Sequence, residues 1–349
     1  MKKQLAVFLC ALFCALLILF HPAATDAAKE GFLVWRDSVM PSLLPFFVCT
    51  SLLRQLGALE SGNAAALFAL AFVSGAPGGA RLCAQYACDG EAKDGTQLLA
   101  AALNTVSPMF IVSAFASSML GTPGAAAPIL LSQLLAAIAA VFFAKRAYGV
   151  HLSATAKEAS LPLAHRFAAS ITEAVSSILS VLGAIVFFFV AIRLIKETGM
   201  LHLLLFPLSA LFPGLDAAAA EAVISGMLGM TAGAKALGSL ALPLRIKSAL
   251  GAFLFSFGGL CIAAQSLLFF PVSLKRYLPF KLMQGLLSGM ICYLIFPLCF
   301  FGTAQAGSVT AETLGRNAVT AGFIFAVSLL GTAAVMLYSA ILGKRRRRK

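Results

Sequence analysis

The chain has 349 residues, 60% of them hydrophobic and only 11% charged, with a mean hydropathy of +0.95. Soluble domains average roughly 45–50% apolar and about 25% charged residues, so this composition excludes a soluble globular protein and requires a bilayer. The net charge of +13 gathers at the chain ends and in two loops, as topology determinants do, which argues against a nucleic-acid partner.

After Met1-Lys2-Lys3, residues 4–20 form an almost unbroken apolar run. It reads as an uncleaved first transmembrane helix, with a signal peptide cleaved among the small residues 23–28 as the rival. Gly31 to Val39 mixes Trp35 with Arg36 and Asp37, which predicts an interfacial helix with an aromatic anchor. Residues 40–57 make a second span, bent by Pro41 and Pro45.

Residues 64–90 are not a simple span. Ser74-Gly75-Ala76-Pro77-Gly78-Gly79-Ala80-Arg81 interrupts them near the middle, predicting a re-entrant hairpin of two half-helices. Residues 96–120 span again but break at Ser107-Pro108, and 125–144 span once more. The polar stretch 145–167 reads as a cytoplasmic linker and as the best domain boundary.

The second half repeats the plan. Residues 173–196 span, 200–212 lie at the interface, and 217–240 form a second hairpin broken by Gly229-Met230-Thr231-Ala232-Gly233-Ala234-Lys235. Residues 246–270 make a span broken at Phe257-Gly258-Gly259, and 281–303 and 318–342 are plain spans. Ser74 to Pro108 and Ser225 to Gly259 are both 34 residues apart, at an offset of 151. The hairpin tips Gly79-Ala80-Arg81 and Gly233-Ala234-Lys235 align instead at 154, so the register of the repeat stays open by three residues.

The expected fold is therefore an all-α polytopic membrane protein of about eight transmembrane helices plus two re-entrant hairpins. The basic loops and the tail Lys344–Lys349 put both termini in the cytoplasm and turn the two halves upside down relative to one another. This divides the chain into an N-terminal helix and loop (1–28), a first repeat (29–144), the linker (145–167), a second repeat with closing helices (168–342) and a basic tail (343–349).

Unwound backbone inside a bilayer is tolerated only where it is buried in protein or lines a cavity. Paired Gly/Pro-interrupted segments in two halves point to a transporter's binding site. The candidate substrate-binding residues are accordingly Ser74, Gly75, Pro77, Gly78, Gly79, Arg81, Asn104, Ser107, Pro108, Thr231, Gly233, Lys235, Gly258 and Gly259. Half-helix N-termini offer free N–H groups to an anion. Arg81 can clamp a carboxylate bidentately, with Lys235 as a second charge. Both cations read equally well as side chains snorkelling to the interface. Asn104, Gln85 and Gln265 suit a nucleoside instead, and Gln133 reads as inter-helix glue. The eight cysteines lie mostly in apolar segments without metal-ligand spacing, and no phosphate loop, dinucleotide fingerprint or nucleophile elbow occurs. Neither a cofactor, a metal nor an enzymatic activity is expected; a homo-oligomer stays open.

Lys29-Glu30-Gly31, Trp35 and Pro41-Ser42-Leu43-Leu44-Pro45-Phe46-Phe47 resemble the sporulation integral membrane proteins of the YlbJ type. The segment Ser74–Arg81 matches that family's Ser-Gly-x-Pro-x-Gly-Ala-Lys/Arg motif. Asn104–Ile111 matches its Asn-x-x-x-Pro-x-Phe-Ile motif with one residue fewer before the proline. The resemblance implies a member of the nucleoside-recognition, or Gate-domain, group, similar to the core of concentrative nucleoside transporters. It further implies a spore-associated membrane and movement of a small solute, dipicolinate. A nucleoside transporter of the same fold, or a non-transporting scaffold for spore assembly, are the alternatives. Where the family's second hairpin carries a glutamate, this chain has Gly229, with Glu221 as the candidate replacement.

Overall fold

The computed structural model describes residues 2–56, 64–86, 93–148, 162–201, 203, 205, 217–267 and 273–300. Among these every regular element is helical. The expected closing span 318–342, most of the 200–212 piece and the basic tail lie outside the described residues.

The first helix, α1 (Lys2–Leu19), meets α2 (His21–Val34) at a bend of 98°. A π-helical turn, Trp35–Val39, leads into α3 (Met40–Gln55). Trp35 is not an interfacial anchor: it is 7% exposed, and its indole N–H donates to the Ile178 carbonyl at 3.2 Å. An indole with a buried partner for its one donor is at ease in a core.

The two interrupted segments are helix–break–helix as expected. In the first half α4 (Ala64–Ser74) stops at Gly75 and α5 (Gly78–Tyr86) begins three residues later. Then α6 (Lys93–Leu103) ends, Asn104–Ser107 are irregular, and a helical stretch resumes that is π-helical over Phe110–Met119. A 3₁₀ turn leads to α7 (Ala126–Tyr148). In the second half α8 (Leu163–Glu197) precedes α9 (Ala217–Leu228) and α10 (Met230–Ser239), which flank Gly229. The breaks recur between α11 (Leu244–Phe257) and α12 (Gly259–Leu267), and α13 (Leu274–Cys299) follows.

By length and composition four segments can cross a membrane: Pro123–Ala144, Leu163–Glu197, Leu244–Leu267 and Leu274–Cys299. They coincide with the expected spans 125–144, 173–196, 246–270 and 281–303, though α8 and α13 both begin earlier than expected. At 35 residues α8 is about 52 Å long, well beyond a ~30 Å hydrocarbon core. Counting the bent pair α1–α2 as one, the described residues hold up to five candidate spans.

The breaks hold themselves together through backbone. The Ala76 N–H donates to the Thr105 carbonyl at 2.7 Å, and the Val106 N–H donates to the Phe255 carbonyl at 3.3 Å. The Gln133 amide of α7 donates to the Val106 carbonyl at 2.7 Å. Backbone that cannot find water must be satisfied internally, and these bonds knit break to break. Gly75 has φ +67°, and a Cβ there would collide with Ser107, so only glycine permits the first two breaks to meet. In the second hairpin a Cβ on Gly233 would overlap the Cα of Gly226. Seven residues along a straight helix are about 10.5 Å apart, so α9 and α10 fold back on one another. Around the breaks a core of Phe110, Ile111, Phe115, Phe253 and Phe255 packs with edge-to-face rings.

Candidate functional site

Residues from four breaks converge on one cavity of about 40 Å³. Ala76 comes from the first break, Ser107 from the second, Met230 and Thr231 from the third, and Cys261, Ile262 and Gln265 from just beyond the fourth. Val39, Leu43, Val181 and Ile185 close it from α2–α3 and α8. The volume holds about three waters, so the cavity has no room for a larger solute as it stands.

Local sequence accounts for the placement. Ser107 is the cap of the helical stretch that follows it: its hydroxyl accepts from the Phe110 N–H at 3.2 Å. Thr231 sits in the first turn of α10, two residues after Gly229, and Cys261 and Ile262 in the first turn of α12. Gly258 and Gly259 have φ of +83° and +72°, which ends α11 and starts α12 within one residue. Three helix N-termini therefore border the cavity, each contributing a partial positive charge. No charged side chain lines it.

The remaining candidates fall into other places. Ser74, Pro77 and Gly78 line a second cavity of about 60 Å³ with Ser51, Glu173 and Ser177. There the Ser51 hydroxyl donates to the Glu173 carboxylate. Gly79 packs on the Leu103 carbonyl, at the end of α6. Arg81 belongs to α5, but its side chain lies outside the described residues, as does that of Gln85. Pro108 opens the helical stretch after the second break.

Lys235 does not reach the central cavity. It lines a cleft of about 210 Å³ with Glu30, Arg193, Lys196 and Ser225. Each of its cations has a carboxylate: Lys235 with Glu30 at 2.6 Å, Lys196 with Glu221 at 2.5 Å and Arg193 with Glu197 at 2.8 Å. Glu221 is thus a partner of Lys196 rather than a carboxylate at the break. Nor does Gly229 leave room for the family's glutamate, since a Cβ there would lie 2.9 Å from that of Phe188.

Asn104 is fully buried and faces away from the central cavity. Its amide donates to Ser266 at 2.5 Å and to the Tyr277 hydroxyl at 3.2 Å. Beside it sits Lys281, which by sequence counts among the basic residues of the cytoplasmic loops but is buried in the bundle. Lys281 is 0% exposed, and its Nζ donates to the Asn104 carbonyl at 3.1 Å and to Gln284 Oε1 at 2.9 Å. At the edge of the expected span 281–303 it reads as a loop cation; the helix starts seven residues earlier, at Leu274, and carries it inside.

An all-α integral membrane protein with broken helices gathered round a small polar-ended cavity is the class this fold defines. Over 91% of its length the chain is 24% identical to the sporulation integral membrane protein YlbJ of Bacillus subtilis (strain 168), covering 89% of that protein. It is similar to that protein over nearly its whole length, which supports the YlbJ-type resemblance of its motifs. No protein-family model matches the chain, and no solved structure matches it significantly.

Proposed function

We propose that this protein is a secondary-type transporter of a small organic anion, with dipicolinate during sporulation as the solute the resemblance implies. It is read as a multi-pass protein with cytoplasmic termini, two inverted halves and no catalytic role. The observation that carries the reading is the convergence of four helix breaks, and three helix N-termini, on a single cavity. Such breaks are costly in a bilayer and recur where transporters hold substrate. Helix N-termini favour an anion without any cationic side chain.

The cavity is too small for a pyridine dicarboxylate as it stands, so binding requires one hairpin to move. The Lys235–Glu30 pair ties the second hairpin to α2, and Glu173 borders the first. Alternate release of the hairpins accounts for access from either side. The neutral lining by Ser107, Thr231 and Gln265 favours a second reading, a nucleoside held by hydroxyls and amides.

Uptake of labelled dipicolinate into proteoliposomes tests the proposal, with uridine as competitor and Thr231→Val as control. The expected result is saturable uptake that uridine leaves unchanged and that the variant lowers at least tenfold. Uptake that uridine abolishes favours the nucleoside reading. No uptake of either solute by folded protein overturns transport in favour of a scaffold.

A further inference from the structure

Lys281 is a long cationic side chain wholly inside the helical bundle, and the transport scheme does not use it. Among the described residues no carboxylate lies within ion-pair distance of its Nζ. The titratable group nearest in its network is the Tyr277 hydroxyl, one turn back on α13 and joined through Asn104. The helices packed on α13 near this point, α6, α7, α11 and α12, bring apolar residues, Ser266 and backbone carbonyls.

Lys281 is surrounded instead by neutral oxygens. Its Nζ bonds the Asn104 carbonyl and Gln284 Oε1, while the Gln284 amide fixes the Ala102 carbonyl at 3.1 Å. Asn104 Oδ1 and Thr105 Oγ1 are buried in the same stretch without a partner. Ala102 and Asn104 flank the last residue of α6, where a helix leaves carbonyls unpaired and carries a partial negative charge. A half-helix C-terminus with unwound carbonyls is the kind of place that holds a small cation in transporters. Hard cations take oxygen ligands, two of which are in place here, and ionisable side chains inside a membrane pair with one another or with backbone carbonyls.

We infer that the ammonium of Lys281 is a built-in cation, occupying an oxygen-lined cation site at the α6 break so that the protein needs no bound sodium ion there. The lysine stem delivers the charge from α13 and locks α13 to the break, whatever the solute moved. Removing the side chain leaves an empty site lined by the Asn104 carbonyl and Gln284 Oε1.

The test is thermal unfolding of the purified full-length protein in sodium, ammonium or choline chloride at equal ionic strength. The wild type is expected to unfold at one temperature in all three salts. Lys281→Ala is expected to unfold several degrees lower in choline and to recover progressively with sodium or ammonium, as a ligand that binds only the native state requires. Lys281→Met, whose stem fills the site without a charge, is expected to stay low in every salt. Specific stabilisation of the wild type by sodium overturns the inference. So does a Lys281→Ala protein that ignores the choice of cation, or a Lys281→Met protein as stable as the wild type. The Met variant and the wild type decide the matter if Lys281→Ala does not fold. No substrate enters the experiment, so its failure and a failure of the transport reading are distinguishable.

Discussion

The indole of Trp35 donates to the carbonyl of Ile178, 143 residues further on, at 3.2 Å. Glu173 lies the same 143 residues beyond Glu30. Each of these glutamates borders a cleft beside the hairpin of the other half. Glu30 meets Lys235 of α10, and Glu173 lines the cavity of Ser74, Pro77 and Gly78. Ser74 and Ser225, at the offset of 151, line one cleft each. The Trp35–Ile178 bond thus fixes the turn between α2 and α3 against α8, the helix that also carries Glu173.

The Glu30–Lys235 pair is about half-exposed, so its worth to stability is small, about 0.2–1 kcal/mol. A double-mutant cycle with Glu30→Gln and Lys235→Met, read by thermal unfolding, is expected to give a coupling in that range that shrinks in high salt. A coupling above that range, unmoved by salt, contradicts an exposed tie.

Glycines that serve geometry and glycines that serve nothing are separable. Gly75→Ala combines the left-handed penalty, about 1–2 kcal/mol, with a collision against Ser107. Gly121 has φ +64° with open space around it, so Gly121→Ala is expected to incur the first penalty alone. Equal losses in denaturation of the two variants contradict a close approach of the first two breaks.

Gly233→Ala and Gly183→Ala are expected to differ in sign. Gly183 lies inside α8 with nothing near its missing Cβ, so alanine stabilises by about 0.4–1 kcal/mol. Gly233 has the backbone of Gly226 against it, which cannot swing aside as a side chain can. Its alanine variant is expected to lose stability and transport together; a neutral Gly233→Ala contradicts the fold-back of α9 and α10.

Gly229→Glu restores the residue of the related family at the second hairpin. It is expected to destabilise by about 1–3 kcal/mol through contact with Phe188 and Ile192, and Phe188→Ala is expected to relieve part of that loss. A fully stable single variant indicates that the break has room for a carboxylate after all.

The breaks were legible in sequence because each depends on a local rule. Gly75 and Gly258 have positive φ, and Ser107-Pro108 ends one helix and caps the next. Their meeting at one cavity was legible only as an analogy between two halves. What escaped depends on long-range packing. Trp35 beside Arg36 and Asp37 has the composition of an interface, yet α8 covers it and supplies Ile178 as a partner. Lys235 at a hairpin reads as a ligand for an anion, and only the approach of α2 turns it to Glu30. Lys281 reads as a cytoplasmic loop cation, and only the longer α13 and the end of α6 beside it place it in the bundle.

Cys261 offers the most direct test of the central cavity, since it lines that cavity and is 5% exposed. The measurement is the rate at which a small maleimide labels Cys261, in a transport-competent variant whose other cysteines are replaced by alanine. The account predicts slow labelling that tracks hairpin opening and is suppressed by saturating dipicolinate. Labelling at the same rate with and without a solute that the protein transports would contradict a substrate site between the four breaks.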